Sequence, residues 1–185
     1  MDAIKIMAPG GYTTVQDQGR FGFQNMGVPV SGALDGFAFT AANLLVGNKE
    51  TAPLMELTVM GPTMEILKEM DIAVTGAKME IRLNDTPVAQ WRSVRAHPGD
   101  LLTIGQVQSG CRAYLALSGG LDVPEVMGSF STYVGGGIGG FQGRPLKKND
   151  ILKTRDLSLL KKERIFPEDA IPDYPADVTV RTILG

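Results

Sequence analysis

A short stretch near the start of the chain concentrates polar groups that could bind or transform a small molecule. It holds two carboxylates, Asp17 and Asp35, together with Arg20, Gln16 and Ser31. Arginine presents a planar fork of donors that suits a carboxylate or a phosphate, and a carboxylate can transfer a proton. Glycines between these residues let the backbone turn sharply and approach a ligand. This composition indicates a ligand-binding site but does not identify the ligand.

The rest of the chain carries the patterns of short strands that could position such a site. Residues 78–83 alternate, with Met79, Ile81 and Leu83 expected to face inward, and Asn84-Asp85 predicts a turn. Similar short apolar runs recur with glycine between them, and strands do not alternate with helices. This pattern predicts a mainly β protein with an antiparallel barrel or sandwich.

One segment predicts a helix. Residues 37–46 have an apolar face and stop at Gly47-Asn48, which is a C-terminal signal. Asp35 precedes this segment and can be its N-cap. The same carboxylate could bind a ligand, and the two roles are compatible because a helix start collects free backbone N–H groups.

The composition of the whole chain disfavours several classes of function. The 18 basic and 20 acidic residues give a net charge of −2 without a strongly basic stretch, which disfavours nucleic-acid binding. No apolar run approaches the ~20 residues that span a bilayer, and we expect no signal peptide. The single Cys111 favours a reducing cytoplasm, and its strand-like setting predicts a buried core residue. The lone His97 lies in a turn-like context, so we expect no metal site.

A second glycine-rich region, residues 132–144, looks like a nucleotide-binding loop only superficially. A dinucleotide fingerprint needs a following helix, whereas residues 145–150 predict a turn. The Gly-Lys-Ser/Thr ending of a P-loop is also missing. Any nucleotide is therefore expected to bind elsewhere.

Taken together, the residues resemble the family of the 5-oxoprolinase C subunits, which is also described as the KipI antagonist, the allophanate hydrolase subunit 2 domain and a biotin-dependent carboxyltransferase domain. The matching pattern spans nearly the whole chain and consists of Thr13-Thr14-Val15-Gln16-Asp17, Gly19-Arg20, Gly27-Val28-Pro29, Ser31-Gly32-Ala33, Asp35, Ala42-Asn43-Leu44-Leu45-Val46-Gly47-Asn48, Met55-Glu56, Tyr114-Leu115-Ala116, Gly119-Gly120, Asp122-Val123-Pro124, Gly128-Ser129, Ser131-Thr132, Gly139-Gly140 and Gly143-Arg144. Leu34 stands where the family usually has methionine, a volume-conserving change.

The resemblance implies a cyclophilin-like antiparallel β-barrel with one or two short helices. Family members are longer and carry a second related domain. We therefore expect a cyclophilin-like domain over residues 1–165, a linker over residues 166–177, and the first strand of a second domain at residues 178–185. The ligand groove is expected to be shared between domains or subunits.

The resemblance also implies a function: part of a cytoplasmic, ATP-dependent 5-oxoprolinase complex that opens the lactam of 5-oxo-L-proline to L-glutamate. The implied partners are the A and B subunits of 5-oxoprolinase, of which the second is KipI-like. ATP, with or without Mg²⁺, would be bound by another subunit.

Two alternatives to this function stay open. One is a carboxyltransferase of the urea carboxylase or allophanate hydrolase type, with biotin on a separate protein. The other is a regulatory antagonist of a histidine-kinase inhibitor.

Within the leading function, candidate residues fall into two groups. The catalytic candidates are Asp17, Arg20 and Asp35, and the substrate-binding candidates are Gln16, Ser31, Asn43, Ser131 and Arg144. We expect the early loop, with Asp17 and Arg20, to share a groove with Arg144 of the later loop.

Structural roles compete with these assignments. Arg20 could pin a turn through bonds to carbonyl groups, and Asn43 could bond a neighbouring loop. Ser129 and Ser131 could be ordinary turn residues. Glu56 lies in an apolar strand, and an unpaired buried charge is costly, so we predict a buried partner such as an arginine.

Overall fold

A computed structural model describes residues 1–155 and 159–183 of the chain. Its strands are β1 (Asp2–Ala8), β2 (Tyr12–Gln16), β3 (Leu54–Thr58), β4 (Thr63–Ile66), β5 (Met70–Leu83), β6 (Thr86–Pro87), β7 (Ser93–Ala96), β8 (Leu101–Leu117) and β9 (Ile151–Lys153). One α-helix, α1 (Gly36–Leu45), lies between β2 and β3 in the described part of the chain. Short 3-10 helices cover Gln24–Met26, Val134–Gly136 and Glu168–Ala170.

The strands form one antiparallel sheet whose central member is β8. The order is β2-β3-β8-β4-β1-β9, and β5 pairs with β8, β7 and β6. Because β8 has 17 residues, one end pairs with β3 while the other end pairs with β4. The sheet curls into a half-barrel, which confirms the predicted mainly β, antiparallel barrel fold.

Alternation along β5 sorts its side chains between core and solvent. Met79 and Ile81 are buried and Leu83 is half-buried, whereas Lys78, Glu80 and Arg82 are exposed, as predicted. Asn84 and Asp85 then turn the chain into β6 with φ angles of 49° and 63°. Two successive positive φ values suit the right-handed twist of a two-residue hairpin, and the predicted turn is confirmed.

Helix α1 covers one outer face of the sheet. It packs on β5 and β8 through Phe39, whose ring meets Tyr114 edge to face with centroids 6.4 Å apart. Asp35 caps its first turn by accepting a hydrogen bond of 3.0 Å from the Ala38 N–H, so the predicted helix and its N-cap are both confirmed. No helix among the described residues has the length and apolar character needed to cross a bilayer.

The prediction that Cys111 is a buried core residue is wrong. The thiol is exposed, and none of residues 105–111 is buried. The β5–β8 ladder shifts register three times in this region, between Gly76 and Ile81. This part of β8 lies at the margin of the core, against which Val107 packs while only partly buried. Alternation of apolar and polar residues shows that a segment is extended. It does not show which part of the strand is covered by other elements.

The predicted linker, residues 166–177, begins by packing against the domain. The Phe166 ring packs against Trp91 and Phe37, with centroids 5.3 and 5.7 Å away. Residues 178–183 form no strand, and residues 156–158 and 184–185 lie outside the described residues. The domain boundaries and the opening strand of a second domain stay predictions.

Two glycines allow the loop after β2 to lie against the segment that precedes α1. A Cβ on Gly32 would lie 2.8 Å from the Gly19 Cα, and the φ angle of Gly32 is +88°. Both the contact and the backbone conformation therefore require glycine at this position. Gly22 has nearly the same φ angle, +91°, but a Cβ there would meet nothing within 4 Å.

We predict that Gly32→Ala lowers the free energy of unfolding more than Gly22→Ala does. Both substitutions carry a left-handed backbone cost of about 1–2 kcal/mol, and only the first adds a clash with main chain. Urea unfolding followed by the fluorescence of Trp91, the one tryptophan in the sequence, measures the difference. Equal losses in the two variants would contradict the close packing of the two loops.

Candidate functional site

The carboxylate of Asp17 joins two loops that are far apart in sequence. Asp17 follows the last residue of β2, and its Oδ1 accepts hydrogen bonds from the Ser129 and Ser131 hydroxyls and from the Gly19 N–H. Its Oδ2 accepts a bond of 2.7 Å from the Phe130 N–H. The carboxylate is buried, and both of its oxygens are engaged by protein donors.

The buried side chain of Arg20 also holds these two loops together. Its side chain is fully buried, and it donates 2.9 Å hydrogen bonds from Nε to the Val126 carbonyl and from Nη2 to the Ser131 carbonyl. The remaining nitrogen, Nη1, is buried and has no hydrogen-bond partner among the described residues. These bonds to carbonyls are the geometry expected if Arg20 has the structural role of pinning a turn.

The segment before α1 is held along its main chain. Four successive N–H groups donate to fixed acceptors of the sheet: Gly32 to Gln16 Oε1, Ala33 to the Asp17 carbonyl, Leu34 to Glu56 Oε2, and Asp35 to the Tyr114 hydroxyl. The bond lengths lie between 2.7 and 3.1 Å. The backbone of this segment is therefore fixed, whereas the Leu34 side chain is 73% exposed.

Glu56 and Tyr114 form the second polar anchor of this segment. They face each other across β3 and β8, and the Tyr114 hydroxyl donates a bond of 2.9 Å to Glu56 Oε2. Burial, followed by the neighbouring negative charge of Glu56, raises the pKa of Tyr114 far above its ordinary value, so the hydroxyl remains a donor. Arg112 Nε lies 3.5 Å from Glu56 Oε1, so Glu56 has an arginine partner as predicted, although this arginine is half-buried rather than buried.

Both oxygens of Asp35 are occupied as well. One caps α1, and the other accepts a bond of 2.7 Å from the Tyr174 hydroxyl, which comes from the predicted linker. Burial and this hydrogen bond raise the pKa of Tyr174. Asp35 is therefore an N-cap that also docks the C-terminal segment, and its ligand-binding role stays a prediction.

Arg144 is directed to a carboxylate of its own loop. Its two terminal nitrogens form a bidentate pair with Asp150, at 2.8 and 2.9 Å, and Nη1 also donates to the Pro145 carbonyl. The structure thus brings Asp17 and Arg20 against the later loop, but it engages the Arg144 guanidinium with Asp150.

The remaining candidates support loops. Gln16 Nε2 donates to Thr14 and to the Thr132 carbonyl, and Asn43, buried in α1, donates to the Ala52 carbonyl. Ser31 is half-buried with a φ angle of 57°. The loop-bonding alternative for Asn43 is confirmed, while the substrate-binding roles of Gln16, Ser31, Asn43, Ser131 and Arg144 and the catalytic roles of Asp17, Arg20 and Asp35 stay predictions.

Sequence reasoning did not single out Tyr114 or Tyr174 as polar anchors. The signal for Tyr114 is its cross-strand position opposite Glu56, which requires the strand register. A group of three or more His, Cys, Asp or Glu residues that could hold a metal ion does not occur in the described part of the chain.

Comparisons with known proteins agree on one family. The family model of the carboxyltransferase domain, subdomain A and B, matches residues 26–185. The chain is 49% identical over 150 residues to the C subunit of 5-oxoprolinase from Escherichia coli, a match covering 80% of this chain and 48% of that protein. It is 47% identical over 151 residues to the urea amidolyase of Lachancea kluyveri, covering 81% of this chain and 8% of that protein.

A solved structure shows the same fold. The crystal structure of Kluyveromyces lactis urea carboxylase superposes with a TM-score of 0.88 and 39% identity, covering 95% of this chain and 16% of that chain. The chain therefore spans about half the length of the 5-oxoprolinase relative and a much smaller part of the urea-processing relatives.

We predict that Asp17→Asn destabilises the protein by about 1–3 kcal/mol, because an amide NH₂ group would face donors that now bind a carboxylate oxygen. Asp169→Asn, which neutralises an exposed carboxylate, is the matched control. Urea unfolding of the two variants measures the effect. If Asp17→Asn unfolds like the control, the carboxylate does not hold the loops together.

We also predict that part of the acid sensitivity comes from Asp150. Burial by itself would raise the pKa of this carboxyl, but hydrogen bonds from Arg144 and the Lys147 N–H, with the positive charges of both residues, lower it overall. A lowered folded-state pKa gives stability that is present above the unfolded pKa and is lost as the pH falls through the folded pKa.

The stability difference between wild type and Asp150→Asn should therefore be constant above about pH 5 and shrink below about pH 4. Unfolding free energies measured from pH 6 down to the acid transition test this, with Asp169→Asn again as the control. A difference that does not change with pH would contradict the role of the ion pair.

Proposed function

We propose a function for this chain from one premise: it belongs to the family of the carboxyltransferase domain, subdomain A and B. We propose that it acts as part of an ATP-dependent 5-oxoprolinase, which hydrolyses 5-oxo-L-proline to L-glutamate. The observation that carries this proposal is its 49% identity to the C subunit of a 5-oxoprolinase over 80% of the chain.

Hydrolysis of the 5-oxoproline lactam requires a preorganised active site. The lactam of 5-oxoproline is a stable amide, and ATP can activate it by phosphoryl transfer before water attacks. A catalyst for this sequence must hold a carboxylate-bearing ring in a fixed orientation. The network around Asp17 supports such a role because it fixes two loops of the same surface with bonds from buried side chains.

Within this function we propose that Asp17 and Arg20 are positioning residues. Asp17 accepts four hydrogen bonds from protein groups, and Arg20 has no solvent exposure. A substrate would meet the loops that these side chains hold in place rather than the side chains themselves. Asp17 would then control loop geometry instead of transferring a proton directly.

ATP binding on another subunit remains part of the proposal. Glycine-rich loops bind phosphates where they open an α-helix. Val134–Gly136 is instead a three-residue 3-10 helix, and the described residues that follow it reach β9 without an α-helix. The residues of this loop do not fit a nucleotide site. We therefore propose that the A and B subunits of 5-oxoprolinase, in the cytoplasm, complete the enzyme and hold the nucleotide and any Mg²⁺.

A second candidate is the carboxyltransferase unit of a urea carboxylase. The family description and the 47% identity to a urea amidolyase favour it. In this case a carboxyl group would pass from biotin to urea or another small amide. The 185 residues contain no Ala/Val-Met-Lys-Met acceptor signal, so the biotin would be carried by a separate protein or segment.

We predict that the chain, combined with candidate A and B subunits, supports release of ADP and glutamate that depends on 5-oxoproline. The same mixture without the chain, and the mixture with urea and carboxybiotin, are the controls. Turnover with urea and carboxybiotin alone would overturn the first proposal in favour of the second. Binding of a KipI-like partner without turnover of either substrate would indicate a regulatory protein and overturn both.

A further inference from the structure

A pocket of about 400 Å³ lies beside the loop that leaves α1. Its lining comes from that loop, including Lys49 and Pro53, from Gly119 in the turn after β8, and from Phe130 and Arg155. A volume of this size suits a small organic molecule. The pocket contains none of the residues that the sequence motifs suggested as catalytic.

Buried amides hold the walls of this pocket together. Asn48 donates to the Asn43 side chain and to the Leu117 carbonyl, both at 2.9 Å, and its oxygen accepts a bond of 2.8 Å from the Gly119 N–H. Asn43 in turn holds the Ala52 carbonyl. These bonds join the loop after α1 to the turn after β8, so the pocket is preformed rather than a gap between mobile segments.

The charges in the lining have one sign. Lys49 and Arg155 contribute two cations, and the lining residues within 1–155 and 159–183 include no carboxylate. Asp122 approaches Arg155 at 3.7 Å from outside, but both side chains are about half-exposed, and such surface pairs contribute little. Two other pockets carry both signs, one with Lys78 and Asp173 and another with arginine, lysine and carboxylates together.

Phe130, which lines the pocket, also connects it to the hydrogen bonds of Asp17. The Phe130 N–H binds Asp17, while the Phe130 ring lies under the Arg155 guanidinium, 5.1 Å from its carbon to the ring centroid. Asp17 therefore fixes the backbone of the residue on which Arg155 rests. This contact connects the early loop of the family motif to the pocket, whose two cationic residues lie outside the motif.

We infer that this pocket binds the carboxylate of a small organic acid; naming that acid as 5-oxo-L-proline rests on the proposed function. Arg155 offers a planar donor fork and Lys49 a compact positive charge, and both are suited to a carboxylate. Phe130 and Pro53 supply an apolar surface for the ring. The motif residues would then position the walls, while Lys49 and Arg155 select the ligand.

The test is a titration of the ¹⁵N-labelled full chain with 5-oxo-L-proline, followed by amide chemical shifts. We expect the shifts to concentrate at residues 47–52, Gly119 and Phe130. Lys49→Met and Arg155→Met should each weaken binding about tenfold or more, because each removes a charge-assisted hydrogen bond. Lys162→Met and Arg82→Met, which remove the same charges from other surfaces, should leave the dissociation constant unchanged.

Neutral and inorganic probes complete the titration. Pyrrolidin-2-one, the same lactam without the carboxylate, should bind about tenfold or more weakly than 5-oxoproline. Equal binding of the two, shifts centred elsewhere, or unchanged affinity in both pocket variants would overturn the inference. Tighter binding of inorganic phosphate than of 5-oxoproline would overturn it as well, in favour of a phosphate site.

Failure of this subsite is distinguishable from failure of the proposed function. If the reconstituted complex turns over 5-oxoproline and Arg155→Met leaves its KM unchanged, the function stands and the subsite is wrong. If 5-oxoproline binds the pocket but no complex turns it over, the subsite stands and the function is wrong.

Discussion

The placement of the Asp17 carboxylate against the 129–131 segment is the constraint on which the rest of the surface depends. Two hydroxyls and two N–H groups share one buried carboxylate. Leaving a buried polar group without its partner costs about 1–3 kcal/mol. Removing either side of the contact would leave several such groups unpaired, so the two loops specify each other's positions.

The segment before α1 is also fixed by hydrogen bonds to other parts of the chain, but with different partners. Its N–H groups are distributed among Gln16, the Asp17 carbonyl, Glu56 and Tyr114. Because these acceptors belong to β2, β3 and β8 or to their ends, the curvature of the sheet determines the path of the segment. The helix that begins at Gly36 then inherits its direction from that path and from the cap at Asp35.

Local patterns in the sequence predicted the local structure. The helix over residues 37–46, its N-cap and the turn at Asn84-Asp85 all follow from periodicity and from conformational preferences within a few residues. Apart from the Gly19 N–H, the side-chain partners of Asp17 and Arg20 lie more than a hundred residues away, so the neighbouring sequence could not identify them. Arg144 pairs with Asp150 within its own loop, but the sequence offered no way to rank that carboxylate above a ligand.

The proposed pocket separates the residues that hold the scaffold from the residues that would select the ligand. The carboxylates and the arginine of the early motif are engaged by protein groups, so keeping their chemistry preserves the loops regardless of the reaction. Lys49 and Arg155 lie outside that motif, and Lys49 has no ion pair among the described residues. Under the proposed assignment of the pocket, a common scaffold with separate ligand-selecting residues would account for the similar identity of this chain to proteins named for two different reactions, 5-oxoprolinase and urea amidolyase.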